Sequence, residues 1–448
     1  MHVKPPEIVD RDVEWRALVG AVERRGRFGL VYGPRRAGKS FLLDAVCRVV
    51  GGWRYQAAGG TGPAQLDDLA RALGEWQGVG PLRLSGWADA LQRIAALDAP
   101  VVVLDELPYL VDAVPELPGL LQRHVDAGQG PPIIVCGSAM STMASLVEGR
   151  APLYGRASVV VVPRPFAGRD LAALWDASPT ASLWVDAALG GLPGYRPMTR
   201  PPTTLDRWMV DHVLAPTSPF LDAAEAALGG DHDGADRGLP RAILAAIASG
   251  NRSFANVARV AGVAATALSR PIRVLERSGL VRRIPDPLRD RRDLYDLADP
   301  HLRFWLTLLG PNRSQLSAGR AAAVWAATKD STWPAQILGP RWESVAREHL
   351  EKVGVHGRVP GTVGMTVVAD RAERRSHEVD LVAVDGDRVI ALGEAKLRRL
   401  TLADAERLRR VRALMGADCP IVLASATGVD KRALAPDVMV VTPAEVYG

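Results

Sequence analysis

The sequence predicts an α/β fold in several domains, and three observations carry that expectation. Strand and helix patterns alternate through the N-terminal third of the chain. A glycine-rich turn joins an early apolar strand to a helix, and a second α/β alternation occupies the last hundred or so residues. At 448 residues the chain exceeds what one hydrophobic core organises, and roughly two to four domains are expected.

The first strand is Phe28–Tyr32. It runs into Gly33-Pro34-Arg35-Arg36-Ala37-Gly38-Lys39-Ser40, a complete G-x-x-x-x-G-K-S string, and Phe41–Val50 reads as the following helix. This is the phosphate-binding loop of a nucleoside triphosphatase. Its glycines let successive N–H groups face phosphate oxygens, and the helix N-terminus adds the positive end of its dipole. Lys39 is expected at the β- and γ-phosphates and Ser40 at Mg²⁺, so ATP and Mg²⁺ are the expected cofactors.

Further strands are expected at Arg54–Ala57, Val101–Asp105, Ile133–Gly137 and Ser158–Val162. The third is a continuous apolar run ending in Asp105-Glu106, which suits a buried parallel strand. Asp105 would face Mg²⁺, and Glu106 would orient or deprotonate the attacking water. The plainer alternative is an ordinary strand with a solvated acidic end. After Ile133–Gly137, Ser138 could touch the γ-phosphate or the water, or could cap a helix over Ala139–Leu146. Arg156, in Leu153-Tyr154-Gly155-Arg156, is a candidate to neutralise charge developing on the γ-phosphate.

From Phe166 to Asp222 the pattern turns helical, with Trp175, Trp184 and Trp208 as expected core anchors. Gly190-Gly191-Leu192-Pro193-Gly194-Tyr195 interrupts it, and Gly229-Gly230-Asp231-His232-Asp233-Gly234 reads as a linker. Between Leu239 and Leu297 come three helices, Ile243–Ala248, Phe254–Ala261 and Ala264–Ser278, with Ser253 as a cap for the second. A hairpin of Gly279–Ile284 and Asp293–Leu297 follows. This order is that of a winged helix-turn-helix. The stretch Ser253–Arg292 carries nine arginines against three acids. Its third helix would enter the major groove of duplex DNA, with Arg270, Arg273 and Arg277 meeting phosphate or bases; the competing reading is a protein-contact module. Pro271 would shorten that helix if it began near Ser269.

The C-terminal unit opens with a helix at Arg341–Val353. Strands follow at Met365–Ala369, Glu378–Val384 and Arg388–Glu394, then a helix at Leu402–Met415 and strands at Pro420–Ala424 and Val438–Val441. Glu394 and Lys396, two residues apart, share one face of a strand, and Asp380 on the neighbouring strand comes beside them. Two carboxylates form a hard-oxygen Mg²⁺ site, and the lysine can orient or activate water for phosphodiester hydrolysis. Glu343 on the preceding helix would add a third carboxylate. The simpler reading is a salt-bridged strand pair.

Net charge is +5 and the isoelectric point about 9.3. That balance is compatible with nucleic acid, although an arginine-rich, lysine-poor composition also raises it. Cys47, Cys136 and Cys419 show no metal spacing and no disulfide framework. No apolar stretch is long enough to cross a bilayer and no signal-peptide pattern begins the chain, so a cytoplasmic protein with no membrane partner is expected.

The motifs taken together resemble those of the archaeal-type AAA+ ATPases. The matching marks are Val9-Asp10-Arg11-Asp12, the phosphate loop, Leu104-Asp105-Glu106-Leu107-Pro108-Tyr109 and Leu153–Arg156. Gly191-Leu192-Pro193-Gly194-Tyr195 and Tyr295-Asp296-Leu297-Ala298-Asp299-Pro300-His301-Leu302-Arg303-Phe304-Trp305 complete the set. The resemblance implies a P-loop AAA+ parallel-sheet ATPase (1–165), a helical lid and linker (166–235), a winged helix (236–300), a helical connector (301–340) and a C-terminal restriction-endonuclease-like domain of the PD-(D/E)XK type (341–448). It implies that Val9–Arg11, with Asp10 and Arg11 as nucleotide contacts, lie near the adenine. It also makes Asp380, Glu394 and Lys396 a nuclease-like triad assisted by Glu343, and leaves room for a homo-oligomer. The chain departs from the pattern at Cys136-Gly137-Ser138-Ala139, where a second hydroxyl is expected after Ser138. The expected function is a Mg²⁺-dependent ATPase coupled to DNA binding and metal-dependent nucleic-acid cleavage. The rival readings are an ATP-switched regulatory or DNA-binding protein with a non-catalytic C-terminal domain, and an ATP-gated transcription regulator.

Overall fold

Apolar strands flanked by amphipathic helices give the N-terminal part its architecture. The computed structural model describes residues 2–23, 28–223, 238–289 and 292–448. The expected linker at Gly229–Gly234 and part of the turn after Ile284 lie outside those residues. The chain forms two compact units: residues 1–165 with 192–194, and residues 166–191 with 195–448.

In the first unit five strands, β1 (Phe28–Tyr32), β2 (Trp53–Gln56), β3 (Val102–Asp105), β4 (Ile133–Gly137) and β5 (Val159–Val161), pair in the order β2-β3-β4-β1-β5. Every pairing is parallel. Successive strand residues serve opposite faces. Phe28, Leu30, Val102, Leu104, Ile133 and Val135 enter one core, while Val31, Val101, Val103, Ile134 and Cys136 enter the other with Leu42, Leu43 and Val46. Both faces are covered, which is why β3 and β4 need uninterrupted apolar runs. Helix α1 (Asp12–Glu23) and α2 (Lys39–Val50) belong to one face. The sheet's C-terminal edge gathers the ends of β1, β3 and β4.

The second unit begins with lid-region helices, including α3 (Arg169–Trp175) and α4 (Pro179–Leu189). Trp175 and Trp208 are fully buried as expected, but Trp184 is only half-buried, between the buried Leu183 and Val185 of α4. Helices α5 (Gly238–Ala248), α6 (Phe254–Val260) and α7 (Ala265–Arg277) precede an antiparallel hairpin of β6 (Val281–Ile284) and β7 (Leu294–Leu297). Ser253 caps α6 by accepting from the Asn256 N–H at 3.3 Å. Helix α7 keeps its full length, with Pro271 inside it. After α8 (Pro300–Phe304) and α9 (Gly339–Val353), a mixed sheet forms in the order β12-β11-β10-β9-β8. Strands β8 (Thr362–Asp370), β9 (Arg375–Asp385) and β10 (Arg388–Lys396) are antiparallel, and β10, β11 (Ile421–Ser425) and β12 (Val438–Val441) are parallel. Helix α10 (Leu402–Leu414) packs Ala405, Leu408 and Val411 against this sheet. Among the described residues, no helix is long and apolar enough to cross a membrane.

Candidate functional site

The phosphate loop curls between β1 and α2. Gly33, Arg36 and Gly38 have φ of 155°, 67° and 85°, a backbone path that turns N–H groups into one concavity. For Arg36, a residue with a Cβ, the left-handed region costs roughly 1–2 kcal/mol. Lys39 is 6% exposed. Its ammonium donates to the carbonyls of Gly33 and Pro34, each at 2.9 Å, so the loop closes around its own lysine. Burial pulls the Lys39 pKa down, opposed by Cys136, Glu106 and Asp105. Pro34, Ala37 and Ser40 complete the loop, with Arg35 exposed.

Asp10 and Arg11 both adopt positive φ, 50° and 74°. Lys4 donates to the Asp10 carbonyl at 2.9 Å. Arg11 is buried, pairs with Glu14 at 3.3 Å and reaches the Ala37 carbonyl at 3.5 Å. The turn before α1 therefore braces the loop from behind.

The acids stand at the end of β3. Asp105 is fully buried; its Oδ1 accepts from the Glu106 N–H at 2.9 Å. Its Oδ2 has no hydrogen-bond partner and lies 3.5 Å from the Arg54 guanidinium. Glu106 sits in the left-handed region (φ 55°) at the head of the Leu107–Ala113 helix. The Ser138 hydroxyl donates to the Glu106 carboxylate at 3.2 Å. Ser138 does not cap the next helix; Ala139 holds that position and makes no side-chain bond. A buried carboxylate oxygen with no donor, beside a loop carrying a serine hydroxyl, is a hard-oxygen set that fits Mg²⁺ with phosphate oxygens completing the shell. Arg156 forms a two-pronged pair with Asp126, at 2.7 and 2.9 Å.

A further contact was quoted in the sequence only as a motif. The Gly194 N–H donates to the Arg36 carbonyl at 3.0 Å. A Cβ on Gly194 would stand 2.7 Å from the Arg36 Cβ, and one on Gly38 would stand 3.4 Å from the Pro193 ring. Leu192–Gly194 thus lies directly on the phosphate loop.

In α7, Leu268, Ile272 and Leu275 are buried while Arg270, Arg273 and Arg277 are exposed together on the opposite face. Arg273 donates to the Ser269 carbonyl at 3.0 Å. The hairpin arginines are spent differently. Arg283 pairs with Glu276 and Asp293, and Arg282 turns inward to Glu348 at 2.8 Å and Asp296 at 3.5 Å.

On the C-terminal sheet, Asp380 and Glu394 are almost fully buried. The Lys396 ammonium lies between them, 2.8 Å from Asp380 Oδ2 and 3.0 Å from Glu394 Oε1. Asp380 Oδ2 also accepts from the Ala395 N–H at 3.0 Å. Arg407 on α10 pairs with the other Glu394 oxygen. Glu343 on α9 pairs with Arg252 at 3.4 Å; burial and then Asp380 push its carboxyl pKa up. The sequence-expected residues are therefore brought together, but as a charge-compensated cluster. Among the described residues, no three His, Cys, Asp or Glu side chains are placed to hold a metal ion. As folded here, Asp380 and Glu394 do not fit a divalent cation, because ammonium and guanidinium groups occupy their oxygens. Arg398 and Arg399 are paired with Asp404 and Asp430.

Sequence reasoning missed the group at the middle of the second unit. Asp296, 2% exposed, pairs with Arg303 and lies 3.7 Å from Arg252 and 3.5 Å from Arg282, with the Ser344 hydroxyl at 3.4 Å. Burial raises its pKa, but Arg303, Arg252 and Arg282 outweigh that and hold it at about 2. Arg341 continues the chain of charges from Glu348 (2.9 Å) to Asp186 on α4 (2.9 Å), where the Tyr447 hydroxyl donates at 2.7 Å. The available signal was Asp296 and Arg303 within one motif, seven residues apart across β7 and α8.

Residues 305–408 match the model of DUF234, a family described as archaea bacterial proteins of unknown function. That span includes Glu343, Asp380, Glu394, Lys396 and Arg407. An uncharacterized protein of Methanocaldococcus jannaschii, MJECL04, is 24% identical over 420 residues, covering 90% of each chain. Among solved structures, the Walker-type ATPase PABY2304 of Pyrococcus abyssi superposes with a TM-score of 0.52 at 19% identity, over 68% of this chain and 98% of that one. This chain has a Walker-type ATPase fold. The ORC2 protein of Aeropyrum pernix, solved as ADPNP–ADP complexes, is similar at a TM-score of 0.43 and 17% identity, over 73% of this chain and 97% of that one. For this Walker-type fold, the parallel sheet, the loop and the C-terminal match agree with the archaeal-type AAA+ family that the motifs resemble.

Proposed function

We propose that the protein is a Mg²⁺-dependent ATPase whose nucleotide cycle acts on a DNA-binding helical module. The observation that carries the reading is the Asp105–Glu106 pair at the end of β3, with Glu106 held by Ser138 and Asp105 presenting a buried oxygen that accepts no hydrogen bond and lies 3.5 Å from the Arg54 guanidinium. Backbone N–H groups of the Gly33–Gly38 loop bind the β-phosphate. Lys39 exchanges the Gly33 and Pro34 carbonyls for β- and γ-phosphate oxygens. Ser40 and Asp105 would hold Mg²⁺, which supplies neutralisation of the phosphate charge. Glu106 aligns a water with the γ-phosphorus and accepts its proton as the bond to the β-bridging oxygen breaks, releasing ADP and phosphate. Lys39→Ala should abolish nucleotide binding, measured with a fluorescent ATP analogue; unchanged affinity would overturn the assignment.

DNA is the proposed partner because Arg270, Arg273 and Arg277 form one exposed cationic face on α7. A second reading makes the C-terminal domain a nuclease, favoured by the convergence of Asp380, Glu394 and Lys396 on adjacent strands. Incubation with DNA and RNA forms, with and without ATP and Mg²⁺, tests it: cleavage by the intact protein that Lys396→Ala loses supports it, and equal products from both proteins remove it.

A further inference from the structure

Arg54 stands where the helix that carries Ser40 meets the strand that carries Asp105. It lies on β2, the edge strand beside β3. The parallel register sets Arg54 opposite Val103 and Gln56 opposite Asp105. Strand alternation puts all four on one face of the sheet, and Val103 packs there with Leu42, Leu43 and Val46 of α2. On α2, Asp44 follows Ser40 by four residues, about one helical turn, so their side chains share a face of the helix.

The Arg54 guanidinium is divided among three partners. Its Nε and one terminal nitrogen donate to the two oxygens of Asp44, at 2.7 and 3.3 Å. Both terminal nitrogens reach the Gln56 amide oxygen, at 3.2 and 3.3 Å. The other terminal nitrogen stands 3.5 Å from Asp105 Oδ2, the oxygen that accepts no hydrogen bond. The Arg54 side chain is 15% exposed and that of Asp105 1%. At this distance the guanidinium gives the buried carboxylate a counter-charge and leaves its lone pairs open. The fork on Asp44 holds the group in place. A planar guanidinium spans two carboxylates in this way; an ammonium, a point charge, does not.

We propose that Arg54 is a positioning residue of the nucleotide site: it straps α2 to β3 and so fixes the spacing of Ser40 and Asp105, on which the affinity for Mg²⁺ depends. This rests on the assignment of Ser40 and Asp105 to Mg²⁺ made above. Two effects of Arg54 oppose each other. Its charge disfavours a second cation at Asp105, and its hold on the carboxylate favours one by keeping a single geometry. Asp44 neutralises most of the charge, so the repulsion is small. Outer-shell partners of metal ligands are worth about 10- to 100-fold in metal affinity. Positioning therefore outweighs repulsion, and losing Arg54 weakens Mg²⁺ binding.

The test is the affinity of the full chain for a fluorescent, non-hydrolysable ATP analogue, titrated in EDTA and again in saturating Mg²⁺. By linkage, the gain on adding Mg²⁺ equals the ion's preference for bound over free nucleotide. Wild type is compared with Arg54→Gln, Arg54→Lys, Asp44→Ala and Asp105→Asn, with circular dichroism as the check on folding. Arg54→Gln should lower the gain by about tenfold or more, while affinity in EDTA stays within about twofold of wild type. Arg54→Lys keeps the charge without the fork and should lose the gain as well. Asp44→Ala, which frees the guanidinium from α2, should do the same. An unchanged or larger gain in Arg54→Gln, wild-type behaviour of Arg54→Lys, or equal losses with and without Mg²⁺ overturns the proposal. If Arg54→Gln does not fold, Asp44→Ala is read by the same criterion. Asp105→Asn separates the strap from the assignment beneath it. A gain lost in Asp105→Asn but kept in Arg54→Gln removes only the strap. A gain kept in Asp105→Asn removes Asp105 from the Mg²⁺ site, and the strap with it.

Discussion

Replacing Asp296 with asparagine removes one negative charge and almost no volume from the centre of the second unit. In the native structure the carboxylate faces Arg303, Arg252 and Arg282. Holding it at about 2 instead of the ordinary 3.8 corresponds to on the order of 2 kcal/mol at neutral pH. Breaking a buried ion pair by neutralising one partner costs about 3–5 kcal/mol where the remaining charges find no new partner. The expected loss lies between those figures. At about 2–4 °C per kcal/mol for a unit of this size, the melting transition of the second unit should fall by roughly 5–15 °C. The sign with pH is fixed. A lowered carboxyl pKa contributes stability above its unfolded value of 3.8, and that contribution is lost as pH falls from there through about 2. Calorimetry of both proteins at pH 7 and across that acid window is the assay. An Asp296→Asn protein that melts with the wild type at pH 7, or keeps the same acid dependence, would refute the reasoning.

Three other outcomes follow from the same geometry. Gly194→Val drives a side chain into the Arg36 Cβ, 2.7 Å from where its own Cβ must stand, so nucleotide affinity should fall while the melting transition of the second unit stays in place; equal affinity by titration would show that the contact is incidental. Arg270→Ala with Arg273→Ala and Arg277→Ala should weaken duplex binding and flatten its dependence on log salt by about 2–3; a salt slope that does not change would give α7 a protein partner. Arg156→Ala should leave ATP turnover near wild type, because its guanidinium is committed to Asp126; a turnover loss of about a hundredfold or more, the scale of an arginine finger, would show that it swings to the γ-phosphate.

Elements with strong local signals were legible. The apolar runs at β1, β3 and β4 appear within a residue of their expected ends, because buried parallel strands need uninterrupted apolar sequence and breakers close them. The helix–helix–helix–hairpin order and the C-terminal strands were readable in order but less so in extent: β8 begins at Thr362 rather than Met365, β9 at Arg375 rather than Glu378, and α5 at Gly238 rather than Ile243. Pairings of side chains across elements were not. Ser138 sits where either a helix cap or an acid could take its hydroxyl, and the neighbouring strand end decides for Glu106. Arg156 is taken by the Asp126 carboxylate, supplied by a helix thirty residues away. The sequence placed Asp380, Glu394 and Lys396 on one face, since strand periodicity forces it. It gave no sign that Arg407 and Arg252 would answer those acids, because those contacts depend on how α10 and the three-helix module pack. The buried group around Asp296 was hidden for the same reason: in an arginine-rich chain, a buried arginine looks like a solvated one.

The central claim is that the end of β3 organises ATP hydrolysis, and Glu106→Gln tests it most directly. The amide keeps the size of the side chain and can still meet the Ser138 hydroxyl, but it cannot accept a proton from water. ATP turnover at saturating Mg²⁺ should fall by about a hundredfold or more, while ATP affinity measured by titration stays within about threefold, RT ln 3 being a small energy. A Glu106→Gln protein that hydrolyses ATP at the wild-type rate would contradict the account.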